Sequence, residues 1–192
     1  FRRQADDLNL KYKFKIDGHK IYPQSTIKYL GLLLDEHVTW KPFIEKLKMK
    51  LTRAIGVLSR IRYFTPLSFL KTAYHALFGS HIMYGCQIWG LNNERHINMI
   101  QSLQTRAIRK ITFKNLHDNM TPIFKELNII KFNDLIHLFN CVLMFQFETG
   151  NLPEAFQNFS SFIKDEHNYN TRSVTEGLHV IPTVHTRTYG SL

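Results

Sequence analysis

The chain of 192 residues is strongly basic, with 25 Lys and Arg against 15 Asp and Glu, a formal net charge of +10 and a pI near 9.7. Its 44% hydrophobic content argues for a folded rather than an intrinsically disordered chain. Its charge indicates an acidic partner, with nucleic acid favoured over membrane. No apolar run reaches the roughly 18 residues of a bilayer span. Two widely separated cysteines, Cys86 and Cys141, exclude a disulfide framework and a zinc knuckle, so an intracellular location is expected.

The positive charge is concentrated near the N-terminal end of the sequence. Residues 1–64 hold 14 bases and 6 acids, which is most of the net charge. Because Phe1 is neither an initiator Met nor the start of a signal peptide, we expect the sequence to be a piece of a longer reading frame.

The first predicted element is a β-hairpin over residues 11–21. Tyr12, Phe14 and Ile16 alternate with lysines, and Asp17-Gly18 is typical of a two-residue type I′ turn. The lysines give one basic face, which suits either a ribbon beside nucleic acid or an edge strand protected from aggregation. On this element alone we favour the second interpretation.

The second element is predicted as a single, mostly buried strand. An apolar run of strand length, residues 28–35, follows Thr26 and Ile27 and ends at charged residues. Gly31 within it has two interpretations that the sequence leaves open. It marks a bulge or kink, or it is a position without a side chain that another backbone can approach closely.

A long helix is predicted next, from about residue 41 to 62. Thr39 is a plausible N-cap, and Pro42 is tolerated only in a first turn. Apolar residues recur every three or four positions, as one buried helical face requires. These are Ile44, Leu47, Leu51, Ile55 and Leu58.

Four cations fall together on the opposite side of this helix. We call this set the basic stripe: Lys46, Lys50, Arg53 and Arg60. At about 1.5 Å of rise per residue it is roughly 21 Å long, enough to follow several phosphates of a nucleic-acid strand. The alternative is an ordinary solvated face. That face would interleave acids with bases, whereas residues 41–62 contain seven bases and one acid, Glu45.

Further helices are predicted from residue 66 to 78 and from about residue 94 to 111. The first is capped by Thr65, stops or bends at Gly79 and Ser80, and buries Leu67, Leu70, Tyr74 and Leu77. Between the two helices, five apolar residues are predicted as core rather than as a base-stacking surface. They are Ile82, Met83, Tyr84, Ile88 and Trp89.

The helix near residue 94 is capped by Asn92 or Asn93 in this prediction. Its apolar face is Ile97, Ile100, Leu103, Ala107, Ile108 and Ile111. Its last turns are basic, and two roles stay open for these cations: complementing the helix dipole in solvent, or contacting phosphates. The cations are Arg106, Arg109 and Lys110, with Lys114 just beyond.

The C-terminal third is predicted as short and apolar helices before an irregular tail. A short helix starts at Thr121-Pro122 and runs through Leu127. Asn133 caps an apolar helix that ends near Gly150 and should sit centrally in a bundle, because it is hydrophobic over most of its circumference. A last helix begins at Leu152-Pro153 and carries Phe156, Phe159 and Phe162. From Lys164 onward we expect an extended or disordered tail.

Five segments, in this order, resemble the C-terminal part of the reverse transcriptase of non-LTR (LINE-type) retrotransposons. They are residues 27–35, 40–44, 66–74, 84–90 and 101–109. Within them Tyr29-Leu30-Gly31 resembles the primer grip, and the helix that follows opens the thumb. Gly31 would then lie near the primer end. One departure is Phe43, where many members of the family have His.

The resemblance implies a division of the chain and a set of partners. The divisions are a palm remnant (1–38), a thumb-like basic region (39–115), post-thumb helices (116–165) and a tail (166–192). The partners are an RNA/DNA template–primer duplex and the missing N-terminal palm and fingers of the same polyprotein. The basic stripe with Arg106, Arg109 and Lys110 would contact the nucleic acid, and the parent enzyme would use Mg²⁺.

No catalytic or metal-binding residue is predicted within the chain. Ala5-Asp6-Asp7 invites comparison with the YADD motif of reverse transcriptases, but Gln4 replaces the aromatic residue and no third carboxylate is evident. Phosphate loops, HExxH and nucleophile elbows do not occur, and the ten His residues lack metal-ligand spacing. We expect this fragment alone to be inactive and to need no cofactor.

The sequence therefore predicts a mainly α fold, in which a small β-hairpin plus one strand precede a helical bundle. Because the rest of a palm is missing, an exposed sheet edge and apolar patch are expected around Leu30, Leu32 and Leu34. The predicted function is that of a retrotransposon RNA-directed DNA polymerase fragment that supplies primer-grip and thumb contacts. The alternatives are a non-catalytic helical protein-interaction module and a decayed retroelement fragment.

Overall fold

The computed structural model describes residues 14–22, 24–90, 94–156, 169 and 171–175. The chain divides into two compact units, Phe1–Leu135 and Ile136–Leu192. The strands are β1 (Phe14–Ile16), β2 (His19–Ile21), β3 (Thr26–Tyr29) and β4 (Leu32–Asp35). The helices are α1 (Lys41–Ile61), α2 (Leu67–Tyr74), a π-helical segment (His75–Gly79), α3 (Ser80–Met83), α4 (Cys86–Trp89), α5 (Glu94–Ile111), α6 (Thr121–Glu126), α7 (Phe132–Glu148), a 3-10 turn (Glu154–Phe156) and α8 (Arg172–Thr175). The mainly α class with small N-terminal β elements is confirmed.

The first hairpin is confirmed. Strands β1 and β2 pair antiparallel, with Ile16 opposite His19. Asp17 and Gly18 both have positive φ, 47° and 80°, as a type I′ turn requires. The part of the prediction that rests on residues 11–13 lies outside the described residues.

The prediction of one continuous strand after this hairpin is wrong. Strands β3 and β4 form a second antiparallel hairpin, with Tyr29 opposite Leu32. Its two-residue turn is Leu30-Gly31, with φ of 45° and 83°. Glycine adopts positive φ at no steric cost, so the apolar run folds back on itself at this point.

The predicted burial of this segment is also wrong in part. All of β3 is exposed, whereas Leu32 and Asp35 of β4 are buried. The expected apolar patch therefore includes Leu30, which is exposed, but not Leu32. The turn explains the difference, because it places β4 against the helices and β3 on its outer side.

Helix α1 is confirmed in its bounds and in its buried face. All five predicted apolar positions are buried, together with Phe43 and Ala54. Each fully buried Leu or Ile side chain contributes about 1.5–3 kcal/mol, so this face anchors the helix. Pro42 lies in the first turn, as predicted.

The start of α1 differs from the predicted Thr39 cap. The capping residue is Trp40, which has a left-handed backbone and makes no side-chain cap hydrogen bond. Instead the carboxylate of Asp35 accepts hydrogen bonds from the Thr39 N–H (3.1 Å), the Thr39 hydroxyl (2.9 Å) and the Trp40 N–H (2.9 Å). The last residue of β4 thus joins the second hairpin to α1.

A π-helical segment changes the register of the next helix. Residues 67–83 form one continuous helical path through α2, the π-helical segment and α3, so Gly79 and Ser80 do not stop it. The extra residue of a π turn shifts the inward positions to Phe78 and Ile82, which are buried. Leu67 and Leu77, which we predicted to be buried, are exposed, and Leu70 and Tyr74 are buried as predicted.

The apolar residues between α3 and α5 divide into core and surface. Ile82 and Trp89 are buried, and Trp89 stacks on Phe132 with ring centroids 5.5 Å apart. Met83, Tyr84 and Ile88 are exposed, so the prediction that all five form core is wrong for these three.

Helix α5 is confirmed, and a buried glutamine ties it to the start of α7. Gln104 donates from Nε2 to the Tyr74 hydroxyl (3.0 Å) and to the Ile130 carbonyl (2.8 Å), and its Oε1 accepts from the Phe132 N–H (2.8 Å). Every polar group of this buried amide therefore has a partner. The Asn92 or Asn93 cap lies outside the described residues.

The C-terminal helices are only partly as predicted. Helix α6 is confirmed, but α7 begins at Phe132, which places Asn133 inside its first turn. In the second unit Ile136 is buried, whereas Leu138, Val142 and Phe145 are exposed, so the expected central position of this helix is wrong. An apolar circumference favours burial only where another element supplies a facing surface.

The remaining C-terminal predictions fall mostly outside the described residues. The 3-10 turn at Glu154–Phe156 is described, but residues 157–168, with Phe159 and Phe162, are not. Within the tail, Arg172–Thr175 form one helical turn. Over the described part of the chain, no helix has both the length and the apolar composition needed to cross a bilayer.

Candidate nucleic-acid interface

The basic stripe is an exposed face of α1. Lys46, Lys50, Arg53 and Arg60 are all exposed. At 100° per residue they fall within an arc of about 80°. None of the four side chains makes an ion pair or hydrogen bond with another described residue. The stripe is therefore a row of solvated charges whose positions are set by the helix.

Two half-buried histidines sense charged residues of α1. Burial, and next the charge of Lys50, lower the pKa of His81 on α3. Burial also lowers the pKa of His96 on α5, although the nearby Glu45 carboxylate opposes that shift. Helix α1 packs against α5 and the π-helical segment, and the side chains of the stripe are exposed.

Helices α1 and α5 run parallel. Glu45 and His96 interact near the two N-terminal ends, and at the other end Arg62 Nη1 donates to the Lys110 carbonyl (2.8 Å). The C-terminal ends of both helices therefore adjoin. This arrangement brings the basic last turn of α5 beside Arg62.

The three predicted cations of α5 differ in exposure. Arg106 is exposed, whereas Arg109 and Lys110 are half-buried. The Nε of Arg109 is buried and has no hydrogen-bond partner in the described part of the chain. Arg109 and Lys110 thus lie at the shared end of the helices with part of their charge still accessible.

Arg62 has a structural role that sequence analysis missed. Its guanidinium lies over the rings of Tyr63 and Phe113, 4.7 Å and 4.2 Å from their centroids, and Nη2 donates to the Tyr63 hydroxyl (2.6 Å). One signal in the sequence could have found it. Arg62 lies four residues after the buried Leu58, so it continues the apolar side of α1 rather than the stripe.

The Tyr29-Leu30-Gly31 segment forms the tip of the second hairpin. The Tyr84 hydroxyl donates to the Leu30 carbonyl, and a Cβ on Gly31 would lie 3.6 Å from the Tyr84 ring. The positive φ of Gly31 accounts for glycine here, and its close approach to a primer stays a prediction. Tyr29 and Leu30 are 62% and 72% exposed, so neither side chain packs into the core of the described chain.

The described residues do not offer a ligand set for Mg²⁺. Within these residues no group of three or more His, Cys, Asp or Glu side chains is arranged to hold a metal ion. Ala5-Asp6-Asp7 lies outside the described residues. Cys86 is buried, and burial raises the pKa of its thiol to about 11, which disfavours the thiolate at neutral pH.

Comparison with curated proteins finds polymerases of mobile elements. Over 114 residues the chain is 32% identical to the probable RNA-directed DNA polymerase from transposon X-element of Drosophila melanogaster, a match that covers 57% of this chain and 12% of that protein. It is 29% identical over 121 residues to the probable RNA-directed DNA polymerase from transposon BS of the same organism (60% and 13% covered). It is 24% identical over 122 residues to the RNA-directed DNA polymerase from mobile element jockey, also from that organism (62% and 13% covered).

These matches are to one segment of much longer proteins, since the chain spans about an eighth of the length of the curated relatives it matches. No family model matches the chain. No solved structure matches it either. The resemblance drawn from the sequence is nevertheless confirmed: about 60% of this chain is homologous to a segment of LINE-type retrotransposon RNA-directed DNA polymerases.

Proposed function

We propose that this chain is the primer-grip, thumb and post-thumb portion of a retrotransposon RNA-directed DNA polymerase, and that its basic stripe holds the backbone of the template–primer duplex. One observation carries the proposal. In a chain homologous to such polymerases, four cations project from one exposed helical face, without an ion pair to any described residue.

The stripe suits a phosphate backbone rather than base edges. Its side chains follow a straight line along α1 for roughly 21 Å, and phosphates are the groups that recur along a nucleic-acid strand. Backbone contacts position a duplex but carry little sequence information, which is what a polymerase that copies any template needs. Arg106, Arg109 and Lys110 on α5 would add contacts to other phosphates.

The remaining parts of the proposal concern the parent polyprotein. Residues 1–38 would be the edge of its palm, residues 39–115 its thumb, and residues 116–165 its post-thumb helices. The palm and fingers, with the carboxylates that bind Mg²⁺, would lie in the rest of the polyprotein. The polyprotein would act inside the cell. Residues 1–192 alone would then hold the duplex without extending the primer.

The test is the salt dependence of duplex binding by the full chain. A fluorescent RNA–DNA hybrid is titrated at several salt concentrations, and log K against log salt is fitted. Four phosphate contacts predict a slope of magnitude roughly 3 to 4. The Lys50→Glu/Arg53→Glu variant should lower that magnitude by about 1.8, because two contacts are lost.

A matched control separates the effect of the stripe on binding from the effect of net charge. Lys48 lies on α1 about 160° away from the centre of the stripe, and Lys125 lies on α6; both are exposed. Lys48→Glu/Lys125→Glu changes net charge by the same amount and should leave the slope within error of the parent chain. Equal losses in the two double variants, or a slope near zero for the parent, would remove the thumb assignment.

A second candidate function is protein binding by the apolar part of α7. Leu138, Val142, Met144 and Phe145 are exposed in the second unit, as a protein-interaction module would require. Replacing Val142 and Phe145 with Asp should abolish capture of a defined protein partner. Intact salt-dependent duplex binding in that variant would assign the two activities to different surfaces.

A further inference from the structure

We propose that Tyr63, Phe64 and Phe113, which we call the aromatic platform, form a stacking site for the bases of an unpaired nucleic-acid strand. The platform lies where the C-terminal ends of α1 and α5 adjoin. The choice of nucleic acid as ligand rests on the proposed function. The site, the stacking chemistry and the unpaired state of the strand go beyond it.

The rings are exposed although they are apolar. Phe64 is 89% exposed, Tyr63 64% and Phe113 54%, in the segments that directly follow α1 and α5. A solvated ring contributes little to the core, and aromatic faces that remain open are what a base needs for stacking. Folding of the described core therefore does not account for these exposed rings, of which Tyr63 and Phe113 are in contact and Phe64 follows Tyr63 in the chain.

Phe113 occupies a backbone position that usually selects glycine. Its φ is 55°, and the Lys114 N–H donates to the Arg109 carbonyl (3.1 Å), which closes the end of α5 in the manner of a Schellman motif. A bulky L-residue is strained there, whereas glycine is not. Strain of this kind points to a use for the side chain, and here the side chain is one of the platform rings.

Arg62 holds two of the three platform rings, Tyr63 and Phe113, before any ligand arrives. Tyr63 and Phe113 meet edge to face, with ring centroids 5.5 Å apart and planes at 76°. The Arg62 guanidinium lies over both rings and donates to the Tyr63 hydroxyl and the Lys110 carbonyl. Rings fixed in this way lose little conformational freedom when a base stacks on them, which favours binding.

The charge around the platform selects a polyanion over an apolar protein surface. Lys114 is exposed next to Phe113, and Lys110 lies one turn before it on α5. Arg60, the last residue of the basic stripe, precedes Tyr63 by three positions. A strand whose phosphates follow the stripe therefore reaches the rings at its end, in the combination of cationic track and stacking faces typical of single-strand binding.

The ligand must be unpaired at this point. Bases inside a duplex already stack on each other, so their faces are closed to a protein ring. A duplex with an overhang offers a ligand for each surface: the phosphates of the duplex for the stripe, and the free base faces of the overhang for the platform. The proposal therefore places the end of the duplex near Arg60.

The experiment compares two hybrids with the full chain. One is a blunt RNA–DNA hybrid, and the other carries a four-nucleotide overhang, of oligo(U) in one arm and oligo(dT) in another. Phe64→Ala should weaken binding of the overhang hybrid by roughly 5- to 150-fold, the range for one stacked base, and leave the blunt hybrid within about twofold. A loss in either arm supports the site and tells which nucleic acid it prefers.

Two further variants guard against trivial explanations. Phe145→Ala removes a ring of similar exposure, 66%, that has no part in the platform, and should change neither hybrid. Phe113→Gly removes a platform ring at a position whose backbone suits glycine, and should also weaken the overhang hybrid selectively. With 5-iodouridine in the overhang, ultraviolet light should cross-link the strand to platform residues.

The outcomes separate this inference from the proposed function. Duplex binding that depends on the stripe, with equal affinity of Phe64→Ala and the parent chain for the overhang, overturns the platform alone. Overhang binding that is lost in Phe64→Ala, without any stripe-dependent binding of the blunt hybrid, supports the platform and overturns the duplex-holding function.

Discussion

Replacing Asp35 with Asn should destabilise the first unit, because it removes a hydrogen-bond acceptor and a negative charge at the start of α1. The carboxylate of Asp35 accepts hydrogen bonds from the Thr39 N–H, the Thr39 hydroxyl and the Trp40 N–H, at 3.1, 2.9 and 2.9 Å. Asn offers one acceptor oxygen and turns an NH₂ group toward a donor. At least one backbone N–H at the start of α1 is then left without its partner.

The magnitude follows from the burial of these groups. Trp40 is 5% exposed and its N–H bond to Asp35 is buried, so an unsatisfied N–H there costs about 1–3 kcal/mol. Loss of the negative charge at the N-terminus of α1 adds about 0.3–1 kcal/mol. The smaller desolvation penalty of the neutral amide offsets part of this. We expect a net loss of about 1–3 kcal/mol in the free energy of unfolding at pH 7.

The pH dependence has a definite sign. Burial by itself would raise the pKa of Asp35, but the hydrogen bonds from Thr39 and from the Trp40 N–H outweigh it and lower the pKa below 3.8. A depressed folded pKa stabilises the protein above the unfolded pKa, near 3.9, and this contribution is lost as pH falls through the folded value. The difference between parent and Asp35→Asn should therefore be full at pH 7 and shrink below about pH 4.

The assay is urea denaturation of the full chain, followed by tryptophan fluorescence, since Trp40 and Trp89 are both buried. Asp17→Asn is the matched control, because Asn tolerates the positive φ at this exposed turn position and should change stability by less than about 0.5 kcal/mol. A loss of less than about 0.5 kcal/mol for Asp35→Asn, or a difference that stays constant down to pH 3, would refute this account of the junction.

Three further predictions concern single positions. Gln104→Leu should lower the free energy of unfolding, measured by urea denaturation, by about 2–4 kcal/mol, because the buried Phe132 N–H and the Ile130 carbonyl lose their partner. A loss below about 1 kcal/mol would mean that water or a shift of the chain satisfies these two groups. Gly31→Ala should lower the free energy of unfolding by about 1 kcal/mol, because φ at this position is 83°. Gly56→Ala should raise it by about 0.5–1 kcal/mol, because Gly56 lies within α1 and a Cβ there meets nothing within 4 Å. Thermal melts that shift in the same direction for both variants would contradict this argument from backbone conformation. Purified residues 1–192 should not extend a primer with Mg²⁺ and nucleotides, and synthesis that Asp6→Ala abolishes would disprove the rejection of Ala5-Asp6-Asp7.

The local predictions that held depend on short-range signals. Helix α1 was predictable because its buried face repeats every three or four residues over about four turns. The first hairpin was predictable because Asp17-Gly18 suits only a few turn geometries. The second hairpin was not, because its turn lies inside a continuous apolar run. Our two interpretations of Gly31 were a bulge or kink and a close approach of another backbone, and neither was the turn that the structure shows.

The candidate interface shows the same division. Which cations share the exposed face of α1 follows from helical periodicity, so the sequence alone predicts the stripe. The same periodicity places Arg62 on the apolar side of α1, but it could not identify its partners, the Lys110 carbonyl and the Phe113 ring, about 50 residues away. The exposed rings of the aromatic platform could not be recognised from the sequence for the same reason.

By itself the sequence determined the mainly α class, helices α1 and α5 and the basic stripe, because each of these depends on neighbouring residues along one element. It also determined the resemblance to LINE-type polymerases, because that depends on residue identities in a fixed order along the chain and not on how the segments pack. Only the tertiary structure decided the parallel packing of α1 on α5, the register shift at the π-helical segment and the gathering of Arg62 with Tyr63 and Phe113. These depend on which surfaces meet across long separations in the chain, and that choice is made by the packing of the whole core rather than by any local pattern.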